Sequence, residues 1–192
     1  MKEWHLQTDE HLMISVNISV KQLHDERFVD KVMEILEETG LETKYLEIEI
    51  TENIAMQDAQ MDILYKLRQL GISISVDDFG THYSSLSYLK RFPVTKIKLD
   101  QSFVRGVQTD EKDRAMIKAI ISVANAFQLQ MIAEGVENEE QIDFLVVNGC
   151  HQIQGYYFYK PMKPEELLAV IQEGLHHKLA FLRAKTIHSY DI

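Results

Sequence analysis

The sequence is poor in the features that mark several common classes of protein. Its 192 residues include a single cysteine, Cys150, which excludes an internal disulfide and argues against a thiol-ligated zinc or iron–sulfur site. Cationic residues are scarce, with 20 Lys and Arg against 30 Asp and Glu, so we expect no binding to a DNA or RNA polymer. No apolar run reaches the ~18 residues of a membrane span, and the polar start is unlike a secretory signal. We therefore expect a cytoplasmic protein without a membrane segment.

Short strand-like runs alternate along the chain with longer helix-like stretches. The predicted strands are Leu12–Ser19, Tyr45–Ile50, Ile72–Val76, Val94–Leu99, Gln130–Ala133 and Gln152–Phe158. The predicted helices are Lys21–Thr39, Gln57–Leu70, Leu86–Lys90, Asp110–Phe127, Glu139–Val147 and Pro164–Ile171. This alternation is typical of an α/β fold with a parallel sheet. An open sheet and a (β/α)₈ barrel both remain possible, and a barrel with about six strands lacks one or two N-terminal units.

Polar side chains collect where the predicted strands end. The residues concerned are Asn17, Glu49, Glu52, Asp77, Asp78, Lys98, Asp100, Glu134, Glu137 and Gln154. In both possible architectures, ligands bind at the carboxyl edge of a parallel sheet. Chance explains a pair of polar or acidic residues at the end of one strand readily. It explains less readily why such residues follow five neighbouring strands in succession. We therefore predict a functional site at this edge.

Carboxylates that converge at one site repel each other unless cations neutralise them. Their oxygens, with the amide of Asn17, suit Mg²⁺ or Mn²⁺ rather than zinc or copper. Adjacent Asp77 and Asp78 are suited to two ions, which together activate a water and stabilise the charge of a phosphoryl displacement. Lys98 is then the cation that orients the water or a phosphate oxygen.

Five stretches, in this order, resemble the EAL-domain family of bacterial cyclic di-GMP phosphodiesterases: ISVNIS, EITE, VDDFGTHYSSLSYLKRFPVTKIKLDQSFV, IAEGVE and QGYYFYKPMKPEEL. The resemblance covers about Trp4 to Ile171. It implies a modified (β/α)₈ TIM-type barrel that acts in bacterial signalling and hydrolyses cyclic di-GMP to linear pGpG with two Mg²⁺ or Mn²⁺ ions. It further implies a homodimer, and a partial EAL domain at residues 1–172. The residue pattern that follows predicts a C-terminal helical tail at 173–192.

The resemblance also implies which residues bind the metal ions. Asn17, Glu49 and Asp77 match ligands of the first ion. Asp77, Asp78 and Glu134 match ligands of the second ion, and Glu134 is also the candidate general base.

Other residues match the family's catalytic lysine, substrate site and loop. Lys98 matches the lysine near the nucleophilic water, and Glu137 with Gln154 matches residues that line the substrate site. Glu52 matches the glutamate that braces the loop after the paired aspartates. Asp100 matches the aspartate two residues beyond the lysine, and we predict that both support the loop.

Two departures from the family pattern affect the functional prediction. The Glu-Ala-Leu motif, which lies on the family's first strand, is not found in the sequence, so we expect an N-terminally incomplete domain with little or no activity. The resemblance to an enzymatic family favours an enzyme. The alternative is a non-catalytic module that binds cyclic di-GMP or a protein. The second departure is His82, where the family has glycine, a residue that adopts positive φ without strain.

Overall fold

The computed structural model describes residues 12–55, 60–81 and 89–172, in which six parallel strands form one sheet. The strands are β1 (Ile14–Asn17), β2 (Leu46–Thr51), β3 (Ser73–Phe79), β4 (Lys96–Leu99), β5 (Gln130–Ala133) and β6 (Gln152–Ile153). Each strand pairs with its neighbours in chain order, and the sheet curls into a half-barrel. The prediction of an α/β fold with six strands of an incomplete (β/α) barrel is confirmed.

Helices follow the strands and cover one face of the sheet. They are α1 (Val20–Leu23), α2 (Phe28–Thr39), α3 (Glu52–Ala55), α4 (Met61–Gln69), α5 (Gln101–Gly106), α6 (Glu111–Ala126), α7 (Glu139–Val147) and α8 (Pro164–Gln172). A 3₁₀ turn at Thr43–Tyr45 precedes β2. Gly40 ends α2 with φ of 62°, the left-handed conformation that glycine adopts readily. Among the described residues, none of the helices combines the length and the apolar content needed to cross a bilayer.

The two faces of the sheet differ sharply in polarity. Side chains alternate between the faces of a strand, and the alternate positions that meet the helices are apolar and at most 1% exposed: Ile48, Ile50, Ile74, Val76, Ile97 and Leu99. The helices contribute core residues such as Leu64, Leu67 and Ile117, which are fully buried. The concave face carries charged and polar side chains at the intervening positions. Burial of the apolar face therefore positions the polar face inside the curl.

The first predicted helix, Lys21–Thr39, is divided in two. α1 ends at Leu23, and α2 begins at Phe28. Between them the Asp25 side chain accepts a hydrogen bond from the Arg27 N–H at 2.9 Å, and the Asp25 carbonyl accepts one from the Phe28 N–H at 2.8 Å. Aspartate competes in this way with the helical pattern and favours a turn, which the apolar spacing alone does not reveal.

The last predicted strand, Gln152–Phe158, is wrong beyond Ile153. The chain turns at Gly155, where a Cβ atom would overlap the backbone of Val136. The Tyr157 N–H then donates to the Val136 carbonyl at 3.0 Å. The aromatic run that resembles a strand therefore packs as a turn against the segment that follows β5.

Smaller differences concern the lengths and number of the elements. β3 continues past the predicted end at Val76 to Phe79 and includes the paired aspartates, and β4 begins at Lys96 rather than Val94. The short helices α3 and α5 were not predicted. Most of the predicted piece Leu86–Lys90 and the whole tail 173–192 lie outside the described residues.

Candidate metal centre

Four charged side chains meet at the carboxyl ends of β2 to β5, with Lys98 at their centre. The Lys98 Nζ donates to Glu49 Oε2 at 2.8 Å and to Glu134 Oε1 at 2.8 Å. It also donates to Asp77 Oδ1 at 3.0 Å. The Lys98 side chain is 7% exposed. Three carboxylates thus use the three ammonium protons of one lysine, and we call these four residues the Lys98 cluster.

The register of the strands explains why these residues converge. Glu49 lies opposite Ser75 in β3, and Asp77 lies opposite Thr51, two residues farther along β2. Strands that tilt in a curled sheet bring such staggered positions to a similar height. The cluster is therefore a consequence of parallel pairing and curl, not of sequence proximity.

The electrostatics of the cluster leave an excess of negative charge. Burial alone lowers the pKa of Lys98, but hydrogen bonds to Glu134, Glu49 and Asp77 outweigh it and raise the pKa above its usual value. The ammonium is therefore charged at neutral pH. Three carboxylates share one ammonium, so full ionisation of the cluster would leave two negative charges without a matching cation among these four residues.

An irregularity in β3 brings two adjacent aspartates to the same site. In a regular strand, Asp77 and Asp78 point to opposite faces. The register shifts between Val76 and Phe79, and Asp78 adopts φ of 54°, which is uncommon for a residue other than glycine. As a result, one oxygen each of Asp77, Asp78 and Glu134 lie within 4.8 Å of one another.

Two of these carboxylates hold their protons more tightly than usual. Burial, followed by the charges of Asp77 and Asp100, raises the pKa of Asp78. Burial also raises the pKa of Glu134, and the ion pair with Lys98 opposes this effect only in part. Both shifts have the sign expected where negative charge accumulates without enough positive charge.

The donor set fits a hard divalent cation. Carboxylate oxygens from Asp77, Asp78 and Glu134 are the ligands that Mg²⁺ and Mn²⁺ prefer, and their spacing allows them to share one ion. Asn17, the end of β1, lies opposite Glu49 in register and is exposed. The structure therefore brings the predicted metal ligands to one edge, while their assignment to individual ions stays a prediction.

Glu52 and Asp100 lie beside the cluster and support its loops. Glu52, the first residue of α3, is 1% exposed and accepts a hydrogen bond from the Gly80 N–H at 3.3 Å. Gly80 has φ of 96° directly after β3. Asp100 caps α5 by accepting a hydrogen bond from the Ser102 N–H at 2.9 Å. These contacts are compatible with the predicted loop-supporting roles.

A cavity of about 250 Å³, here called the side pocket, shares Glu134 with the cluster. Its lining includes the predicted residues Glu137 and Gln154 together with Tyr156, and sequence reasoning missed Gln101 and Arg105. Gln101 and Arg105 lie four residues apart on α5, directly after Asp100. Helix spacing beyond a functional strand end is the signal that would have identified them.

A second ion pair lies deeper on the concave face and was also missed. Lys96 Nζ lies 2.5 Å from Glu47 Oε2, and the side chains are 10% and 2% exposed. Ser15 Oγ donates to the other oxygen of Glu47 at 3.1 Å. The alternation in LEIEI and KIK, with charges two residues apart, signals two layers of charge on the same strands. We call Glu47 and Lys96 the inner pair.

Cys150, which was also considered in the sequence, takes no part in the site. Cys150 is 1% exposed, and burial raises its pKa to about 11, so it is a poor nucleophile at neutral pH. Trp4 and His82 lie outside the described residues.

Comparison with known families finds a match over most of the chain. The family described as the EAL domain matches residues 1–161. The cyclic di-GMP phosphodiesterase NbdA of Pseudomonas aeruginosa is 40% identical over 177 residues, which are 91% of this chain and 22% of that protein. The bifunctional diguanylate cyclase/cyclic di-GMP phosphodiesterase MucR of the same organism is 42% identical over 160 residues, 82% of this chain and 23% of that protein. The chain thus spans less than a quarter of either relative.

Solved structures resemble the described fold closely. The MucR phosphodiesterase in complex with c-di-GMP has a TM-score of 0.77 and 41% identity, with 81% of this chain and 64% of that chain covered. The manganese/cy-diGMP complex of Klebsiella pneumoniae BlrP1 has a TM-score of 0.76 and 29% identity, with 83% of this chain and 41% of that chain covered.

Proposed function

Because this chain belongs to the EAL-domain family, we propose that it supplies the metal-binding part of a cyclic di-GMP phosphodiesterase. The proposed reaction is hydrolysis of cyclic di-GMP to linear pGpG. The observation that carries the proposal is the convergence of Glu49, Asp77 and Glu134 on Lys98, with Asp78 beside them. Relatives described as cyclic di-GMP phosphodiesterases support the choice of substrate.

We assign the metal ligands by combining the resemblance with the geometry. Asn17, Glu49 and Asp77 would hold one Mg²⁺ or Mn²⁺ ion, and Asp77, Asp78 and Glu134 would hold a second. When bound, such ions supply an activated water and neutralise charge that develops on the phosphate. The manganese complex of the BlrP1 neighbour supports this choice of ion.

Glu134 and Lys98 carry the proposed proton transfer and charge stabilisation. In the hydrolysis, the oxygen of a water forms a bond to phosphorus, and the bond from phosphorus to one ribose oxygen breaks. Glu134 accepts a proton from the water, and its raised pKa makes it a better base than an ordinary carboxylate. Lys98 stays protonated and orients the water or a phosphate oxygen. The ribose oxygen leaves with the electron pair of the broken bond and becomes a hydroxyl by taking up one proton, which balances the proton that the water gives to Glu134.

Binding and product analysis test this proposal on the 192-residue polypeptide. We expect calorimetry to detect Mn²⁺ binding, and cyclic di-GMP binding that depends on the metal. Absence of both would contradict the proposal. A matched variant, Glu26→Ala, removes an exposed carboxylate away from the site and should bind as the unaltered chain does.

One observation favours the second candidate, a binding module without turnover. In the part of the chain that the structure describes, β1 and β6 each have one neighbouring strand, so both edges of the sheet are open. We therefore expect little or no turnover by this polypeptide. Chromatography separates the two candidates: bound cyclic di-GMP without linear product favours the module, and steady formation of pGpG with Mn²⁺ favours the enzyme.

Three further expectations from the sequence are also proposals. We propose a homodimer, which light scattering after size-exclusion chromatography would detect as twice the 22.3 kDa mass of one chain. The division into a domain at 1–172 and a tail at 173–192 is testable by limited proteolysis. The cytoplasmic location stays a prediction.

A further inference from the structure

We propose that Gln141 is a positioning residue of the metal centre, which holds the segment after β5 where Glu134 can share an ion with the paired aspartates. Gln141 is the third residue of α7 and is 4% exposed, so the protein encloses its side-chain amide. This inference rests on the proposed function, because it assigns to Gln141 a role in the metal site that this function requires.

The side-chain amide of Gln141 joins two segments that carry residues of the site. Its Oε1 accepts hydrogen bonds from the Glu137 N–H at 2.8 Å and from the Asn138 N–H at 3.2 Å. Its Nε2 donates to the Val104 carbonyl at 3.2 Å. Val104 is fully buried and lies on α5, the helix that follows β4. One side chain therefore ties the loop between β5 and α7 to the helix that follows Lys98.

This loop contains a glycine directly after Glu134. Gly135 has φ of 67°, and a glycine backbone has more conformations available to it than that of any other residue. On one side of the glycine, the Glu134 N–H donates to the Leu99 carbonyl at 3.2 Å. On the other side, Gln141 and the segment after β6 accept hydrogen bonds from the next three N–H groups. The position of Glu134 thus depends on anchors at both ends of a short turn.

A helix cap alone does not explain the choice of glutamine at this position. α7 begins with a capping box, in which the Asn138 side chain accepts a hydrogen bond from the Gln141 N–H at 3.1 Å and the Gln141 side chain accepts one from the Asn138 N–H. Glutamate fills the second position of such a box as well as glutamine does, and negative charge in the first turn of a helix is favourable. Of the two residues, only glutamine has an N–H group that can donate to the Val104 carbonyl. The amide nitrogen of Gln141 therefore acts beyond its own helix.

The position of this amide makes the sign of one substitution informative. Gln141→Glu keeps an acceptor for the Glu137 and Asn138 N–H groups, but it places a carboxylate oxygen against the Val104 carbonyl. Two acceptors repel each other, so the loop moves away from α5. The added negative charge by itself would attract a cation and strengthen metal binding. A weaker metal affinity therefore identifies displacement of the ligands, because the direct effect of the charge has the opposite sign.

Calorimetric titration of the full 192-residue chain with Mn²⁺ tests the inference. We expect Gln141→Glu to weaken Mn²⁺ binding by about 10-fold, the lower end of the range for loss of a residue that supports metal ligands. Gln141→Met has a similar volume and no charge, and it should weaken binding at least as much because it loses all three hydrogen bonds of the side-chain amide. Both variants should also lower the urea midpoint. Gln141→Glu retains the capping box, so α7 still forms in this variant if Gln141→Met fails to fold.

Asp110→Ala is the matched control for lost stability. Asp110 caps α6 by accepting a hydrogen bond from the Lys112 N–H at 2.7 Å, so its loss should lower the urea midpoint and leave Mn²⁺ affinity unchanged. If Gln141→Glu binds Mn²⁺ as tightly as the unaltered chain or more tightly, the inference is overturned and the proposed function stands. The same holds if Asp110→Ala weakens Mn²⁺ binding as much as Gln141→Glu does. If the unaltered chain binds no Mn²⁺, the proposed function fails and the inference fails with it.

Discussion

The Lys98 cluster and the inner pair share one type of contact on the concave face, yet their charge balance differs. In each case a lysine of β4 contacts a glutamate of β2. The two lysines lie two residues apart on β4, and the two glutamates lie two residues apart on β2. The inner pair matches one cation with one carboxylate and is almost fully buried. The cluster combines three carboxylates with one cation and lies at the carboxyl ends of the strands. A balanced pair suits a structural role, and an unbalanced cluster requires further cations.

Breaking the inner pair should produce the largest effect. Glu47→Leu leaves the buried ammonium of Lys96 without a partner, which costs about 3–5 kcal/mol in the free energy of unfolding. Urea denaturation followed by circular dichroism measures this loss. The double variant Glu47→Leu/Lys96→Met removes both charges and should recover most of the stability. An equally unstable double variant would show that the pair is not the cause.

Removing a shared ligand from the cluster should have the next largest effect. Asp77→Ala deletes a carboxylate that contacts Lys98 and that lies within 4.8 Å of oxygens of Asp78 and Glu134. We expect Mn²⁺ affinity to fall by about 100-fold or more, and metal-dependent chemistry to be abolished in a complete domain. Calorimetry of the folded variant measures this fall. Unchanged Mn²⁺ binding would mean that the site is assigned to the wrong residues.

Replacing Lys98, the cation of the cluster, should distinguish the Lys98 cluster from the inner pair directly. Lys98→Met removes three charged hydrogen bonds and should destabilise the metal-free chain by about 2 kcal/mol. Added Mn²⁺ should raise the melting temperature of this variant more than that of the unaltered chain, because it replaces the missing positive charge. Lys96→Met serves as the comparison, and equal metal-dependent shifts in both variants would contradict the distinction.

The smallest effect concerns pH. A carboxyl whose pKa is raised by folding stabilises the protein while it is protonated, and this contribution is lost as pH rises through the carboxyl range. Asp78 and Glu134 both have raised pKa values. The metal-free chain should therefore lose part of its stability between acidic and neutral pH. Urea titrations at several pH values give the slope of the free energy of unfolding against pH, and Asp78→Asn should reduce this slope. An unchanged slope would mean that Asp78 does not contribute to the pH dependence.

Several features of the fold and site were predictable because they follow from strand topology. Parallel strands place their carboxyl ends at one edge, so Glu49, Asp77 and Glu134 could be expected near Lys98 before any geometry was known. The sheet itself followed from the alternation of strand-like and helix-like runs. The roles of the four cluster residues in binding and catalysis stay predictions.

Other features depend on tertiary contacts that the pattern does not contain. Period-two alternation places Glu47 and Lys96 on the same face as Glu49 and Lys98, but it does not show that the deeper two residues pair with each other, so they were overlooked. Aromatic residues favour strands, yet the run after Ile153 turns because Gly155 packs on the neighbouring backbone. Arg105 lies on α5, a helix of six residues that was not predicted, so its spacing of four residues from Gln101 was not used.

The close approach at Gly155 has a consequence for genetics. Any side chain at this position would force the segment that carries Gln154 away from Val136, which lies between Glu134 and Glu137. A screen for loss-of-function alleles should therefore recover replacements of Gly155, a residue with no reactive group. Such alleles would displace Gln154 and Glu137, which line the side pocket, and leave Asp77 and Asp78 in place.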